Sequence, residues 1–322
     1  MGDWSGAFPS VAQTTAYDES AADAWYHSDR KQIPVTTNRF EQINPAIYKN
    51  LIVWQDKRYG NWDIFMKELT TNIETRLTTN SASQVTPAIY GNLVVWADNR
   101  YGNYDIFMKD LSTNLESRLT TNSAWQGVPD VYGTKVVWQD YRYGNYDVFM
   151  KDLITNIETR LTINSGSQIN PSIYGNRVVW QDNRYVNWDI LTKDLSSNTE
   201  ARITSNSANQ VDPVIYGNRI VWKDNRYVHS DIFMKDLITN TETRLTTNSG
   251  EQRNPQIYGD GVVWIDNRYG NQDVYLKNLT TNTEKRITNH SSDQKSAGIY
   301  QEKIVWYDDR TGNNDVYLAK IA

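Results

Sequence analysis

Apolar residues come in short bursts along most of this chain, separated by polar runs of nearly constant length. In VVWADNRYGNYDIFMKDL, Val94 to Leu111, Val-Val-Trp is followed by a polar loop and then by Ile-Phe-Met. Short apolar runs bounded by Gly, Asn and Asp predict strands joined by turns. One full copy of the pattern reads as four antiparallel strands. NPSIY (170–174) is the first, GN the tight turn, RVVWQD (177–182) the second, and NRYVN the loop. WDILTKDL (188–195) is the third strand, SSN a turn, and EARITS (200–205) the fourth. Gly91, Gly133, Gly175, Gly217 and Gly259 supply the positive φ of the first turn.

The pattern recurs seven times without an insertion. Trp54, Trp96, Trp138, Trp180, Trp222, Trp264 and Trp306 are each 42 residues from the next. A fixed period of this length with aromatic and turn signals predicts one propeller blade per copy. Seven periods counted back from Ala322 begin at Asp29, out of phase with a blade. QIPVTTN (32–38) aligns with the fourth strand ETRLTTN (74–80), and the last copy stops after its third strand, NDVYLAKIA. The missing strand of the last blade is therefore expected from the N-terminal side, which leaves no unfinished edge. The predicted fold is all-β, a closed seven-bladed propeller of four-stranded blades over residues 29–322. Residues 1–28 carry no copy and read as a tail or as a segment packed on the ring.

Composition narrows the function. A net charge of −5, with 33 basic residues among 38 acidic ones, argues against nucleic acid and against a polybasic membrane surface. Without cysteine there is no disulfide, thiol nucleophile or Cys-based metal site. No apolar run approaches the ~20 residues of a membrane span, and MGDWSGAFPS lacks the features of a signal peptide. An exported chain would thus have lost its leader.

The copy PAIYGNLVVWADNRYGNYDIFMKDLSTNLESRLTTN (87–122) resembles the TolB-type β-propeller repeat, in the variant found in cell-surface proteins. The likeness rests on Pro before the first strand, Tyr-Gly-Asn, Val-Val-Trp, Asp-x-Arg-x-Gly-Asn-x-Asp and the closing Arg-Leu-Thr, and covers Lys31 to Ala322. Val186 and Val228 replace the loop Gly, Ala297 the Pro, and Thr311 the loop Tyr. The resemblance implies a binding or scaffold module that is extracellular or at the cell surface.

Most repeated residues read as architecture. The seven tryptophans are expected to pack between blades, and Tyr48, Tyr90, Tyr132, Tyr174, Tyr216, Tyr258 and Tyr300, which close the first strand, to pack with the hydroxyl satisfied. Each Asp-x-Arg pair is expected to fix its loop, and the second Asp, Asp63 to Asp315, to accept backbone N–H groups at the turn. The intervening Arg disfavours calcium. No metal and no cofactor is expected.

Binding candidates come from the face that the Asp-x-Arg loops share with the loops entering the next blade. Gln42, Gln84, Gln126, Gln168, Gln210, Gln252 and Gln294 are expected around the channel mouth, either bracing the backbone or forming a polar ring for a ligand. Tyr59, Tyr101, Tyr143, Tyr185, Tyr227 and Tyr269 lie farther out, with Trp62, Tyr104, Tyr146 and Trp188 nearby. Such aromatics suit stacking on a pyranose, a protein interface, or packing within the loop. His27, His229 and His290 fall in three repeat phases, and no Gly-x-Ser-x-Gly, His-Glu-x-x-His or Walker loop occurs. The chain is therefore expected to be a non-enzymatic, monomeric module that binds a glycan or a protein through seven similar loop pairs. A carbohydrate-active hydrolase or lyase is the remaining alternative.

Overall fold

The computed structural model describes residues 32–321. They form seven four-stranded antiparallel sheets in a ring. Blades 1 to 6 occupy residues 42–76, 84–118, 126–160, 168–202, 210–244 and 252–286, and blade 7 residues 295–320. Its fourth strand is Gln32–Pro34, with Gln32 opposite Ala319 and Pro34 opposite Tyr317. Closure by an N-terminal strand is therefore as expected. The segment 1–28 lies outside the described residues.

The tryptophans explain why the pattern repeats. All seven are fully buried. One core cluster joins Val53, Ile64 and Leu77 of blade 1 to Val94, Trp96 and Phe107 of blade 2, and the next repeats this one blade on. Each blade thus covers its apolar face with its neighbour. The indole N–H remains to be satisfied, and Trp54 Nε1 donates to Asp56 Oδ2 at 3.1 Å, a bond made in every blade.

Each inner strand carries a bulge. Register shifts between Ile43 and Ala46, and at the matching place in the other blades. The extra residue takes a left-handed conformation: Asn44, Thr86, Val128, Asn170, Asp212, Asn254 and Ser296 have φ between 51° and 55°. A bulge bends the strand and re-aims the side chains next to it. Here they line the central channel.

Candidate functional site

The loop face is built from charge pairs that repeat. Asp56, buried, receives Arg58 Nη2 at 2.6 Å and the Arg58 backbone N–H at 2.9 Å. Arg58 also bonds Glu74 on the outer strand and lies 4.2 Å over the Phe65 ring. The loop is fixed as expected. The second Asp behaves differently: Asp63 accepts from Arg76 Nη2 at 2.8 Å and from Thr78 Oγ1 at 3.4 Å, and not from the turn backbone. Burial raises the pKa of Asp63, and Arg76 opposes that rise. Among the described residues no three His, Cys, Asp or Glu converge as metal ligands.

The six rim tyrosines stand at the loops, Tyr59 58% exposed and Tyr101 59%. Arg76 lies 4.0 Å over Tyr59, and Arg118, Arg160, Arg202, Arg244 and Arg286 take the same position over Tyr101, Tyr143, Tyr185, Tyr227 and Tyr269. One face of each ring is occupied.

The seven glutamines do not ring an open mouth. Gln42, Gln84, Gln126, Gln168, Gln210, Gln252 and Gln294 are all fully buried, and each amide donates to a carbonyl two residues back, as Gln84 Nε2 does to Ala82 at 2.7 Å. The reason is register: Gln42 pairs with the buried Asp56, so its side chain belongs to the wall between blades. The bulge two residues on faces the lumen instead.

That lumen is a cavity of about 550 Å³. Its upper wall is the bulge ring from Asn44 to Ser296, and residues differ there from blade to blade. Two carboxylates stand in the wall, Asp212 in the bulge ring and Asp130 two residues beyond the bulge residue Val128. Asp130 accepts the backbone N–H of Val131 at 2.8 Å and that of Ile173 at 2.9 Å. Asp212 accepts Asn170 Nδ2 at 3.1 Å. Burial raises both above the usual carboxylate range. At the far end the seven tyrosines Tyr48 to Tyr300 form a ring, with neighbouring centroids 4.4 to 5.0 Å apart.

Around the loop-side mouth the sevenfold symmetry breaks. At each junction the residue before one blade's third strand meets the residue before the next blade's Gln. In blades 1 to 4 the residue before the third strand is aromatic, Trp62, Tyr104, Tyr146 and Trp188, and Trp125 joins them, 6.4 Å from Tyr104 and 5.6 Å from Tyr146, which is 4.9 Å from Tyr141. Gly127 makes room, since a Cβ there would lie 2.3 Å from Trp125 Cη2. Across the ring the junctions are carboxylates: Ser230 Oγ donates to Glu251, Gln272 N to Asp293 at 2.8 Å, and Asn314 Nδ2 to Glu41. His229 stands 3.5 Å from Glu251. Trp125 and the carboxylate arc escape a reading built on the constant positions. Their signal is departure from the repeat: Trp125 stands where other copies have Glu41, Ser83, Ser167 or Asn209.

No protein-family model matches this chain, and no curated protein sequence matches it. Solved structures do resemble it. An oligogalacturonate lyase from Vibrio parahaemolyticus matches with a TM-score of 0.71 at 12% identity, over 92% of this chain and 95% of that one. TolB from Acinetobacter baumannii matches at 0.56 and 14% identity, over 74% and 62%. An acylaminoacyl peptidase from Pyrococcus horikoshii matches at 0.65 and 14% identity, over 87% and 51%. The fold is that of TolB-like propellers. The expectation that the chain is not an enzyme is overturned here, because two of these likenesses are to enzymes. The physical reason is that near-identical blades describe the scaffold only, while one asymmetric lumen suffices to carry chemistry.

Proposed function

We propose that this propeller recognises a carbohydrate at its loop-side channel mouth. The observation that carries the reading is the sidedness of that mouth: Tyr104, Trp125, Tyr146 and Tyr141 on one arc, hydrogen-bonded Glu41, Glu251 and Asp293 on the other. Aromatic faces accept the apolar face of a pyranose, and carboxylates accept its hydroxyls. The ligand this arrangement suits is a neutral or amino sugar, since a polyuronide would meet three carboxylates. The likeness to TolB, with the cell-surface placement that the repeat resemblance implies, supports a chain working outside the cytoplasm.

Binding to a broad glycan array, followed by calorimetry on the best ligand, tests the reading. Trp125→Ala is expected to weaken binding by about tenfold or more with the fold intact, in line with loss of a stacking contact. Tyr101→Ala with Tyr143→Ala should leave it unchanged; the reverse pattern would move the site to the rim. A folded protein that binds no glycan would leave a protein-binding scaffold as the better account. New reducing or unsaturated ends on the bound glycan would report turnover.

A further inference from the structure

The lumen has two unlike long walls. Above the tyrosine ring, the polar side chains that blades 1 to 5 bring to it are tied off. Asn44 Nδ2 donates to Gln55 at 3.2 Å, Thr86 Oγ1 to the Val85 carbonyl at 2.8 Å, and Asn170 Nδ2 to Gln181 at 3.2 Å and to Asp212 at 3.1 Å. Asp130 holds two backbone N–H groups, with the Ser172 hydroxyl as a further donor. Asn254, Gln256 and Ser296, of blades 6 and 7, line the same lumen, and their side chains have no hydrogen-bonding partner among the described residues.

Their freedom has a cause one strand away. Gln55, Gln139 and Gln181, on second strands, each accept the bulge N–H of the next blade, and Gln55 and Gln181 also hold the Asn of their own. Around blades 6 and 7 that second-strand position is Lys223, Ile265 and Tyr307, none of which offers an amide. On the opposite wall Ala46 and Ala88 take the place of Gln256, and Val128 that of Asn254. The polar wall stands below Glu251 and Asp293, and the apolar one below Tyr104 and Trp125. The sidedness of the mouth therefore runs down to the floor.

The floor decides which part of a glycan can enter. Seven phenol rings with neighbouring centroids 4.4 to 5.0 Å apart are in contact all the way round. Rings this close cannot turn their faces to the axis without overlapping, so edges or hydroxyls project inward and the lumen narrows there. One entrance wide enough for a sugar remains, on the loop side. A chain interior needs two openings, one for each continuing end, whereas a terminus needs one. The lumen of about 550 Å³ falls within the roughly 300–1,000 Å³ that encloses a small ligand. Granted the carbohydrate reading, on which this rests, we propose that the ring binds the end of a glycan chain, threaded down the channel. Asn254, Gln256 and Ser296 bond hydroxyls of the terminal residues, each amide both donating and accepting, while apolar sugar faces pass Ala46, Ala88 and Val128.

Calorimetry of the full chain with cello-, manno- and chito-oligosaccharides of increasing length, and with soluble derivatives of the parent polymers, tests this. The expected result is one ring bound per glycan chain at every length. Rings per chain that rise with length would overturn the proposal. Reduction of the terminal aldehyde to an alditol, or a bulky cap on the opposite terminus, should abolish binding in one of the two cases; unchanged affinity after both would overturn it as well. Gln256→Leu is expected to weaken binding about tenfold and to leave the melting temperature unchanged, because its amide holds nothing in the wall. The length series needs no variant and carries the test if Gln256→Leu unfolds. Binding that Trp125→Ala weakens, but that follows chain length and ignores Gln256→Leu, leaves the mouth as the site and removes the channel. No glycan binding by the folded protein removes both.

Discussion

A threonine hydroxyl has one hydrogen to give, and at every blade junction two buried acceptors compete for it. In six blades it goes to the second Asp, as Thr78 to Asp63, and the oxygen of the next Gln is left without a partner. In blade 2 Thr120 donates to Gln126 instead, and Asp105 Oδ1 is the orphan. The same hydroxyl accepts the Ile106 backbone N–H at 2.8 Å, so it ties three groups together. Thr120→Val, which keeps the shape and removes both roles, is expected to cost about 2 kcal/mol in urea unfolding, while Thr120→Ser costs less. A change below about 0.5 kcal/mol would show that the junction does not depend on this bond. Sequence reasoning found Gln and Asp at their sevenfold spacing and had backbone bracing among its readings of the Gln, but it missed the partner of the Asp. Asp63 is bound by Arg76, 13 residues on and across the outer strand, and no local pattern announces a contact that the sheet register alone creates.

At the scale of the strand, blade 7 differs because its outer strand comes from the other end of the chain. Where Arg76 stands opposite Phe65 in blade 1, Pro34 stands opposite Tyr317. The Arg is therefore missing, and so is the tyrosine it would cover, Thr311 being in its place. Asp315 is left 2% exposed, receiving the hydroxyls of Thr36 at 3.1 Å and of Thr311. Burial, with repulsion from Asp308 and Asp56, raises its pKa against the pull of those two hydroxyls. A carboxyl whose folded pKa is raised gives its full stabilisation below the unfolded value and loses it as pH rises through the folded one. Asp315→Asn is expected to melt higher than the parent near neutral pH, with the gap closing toward about pH 4. A gap that stays constant with pH would mean that the carboxyl is not the cause. Blade number, closure and the shared loop face were legible because periodicity encodes them. The sidedness of the channel and its mouth was not, because the residues that create it, such as Asp130 in the lumen wall and Trp125 at the mouth, are those that break the period.

For the whole molecule, the closing pairs fix how the ring responds to load. Gln32 lies opposite Ala319, so both ends of the described chain leave blade 7 at the same end of an antiparallel pair. Tension between residues 32 and 321 acts on those bonds one after another, as on a zipper, and never shears them together. With only three residues in the strand, the latch should yield at low force. The remaining blades should then leave in near-equal steps, each releasing 42 residues, or about 140 Å of extended chain. Optical-trap extension with handles at those two positions would record the sawtooth; a first event as strong as the later ones would count against the zipper. A ring held together by continuous side-by-side packing is thus mechanically soft along one direction, and how such a molecule is tethered decides whether it holds or opens.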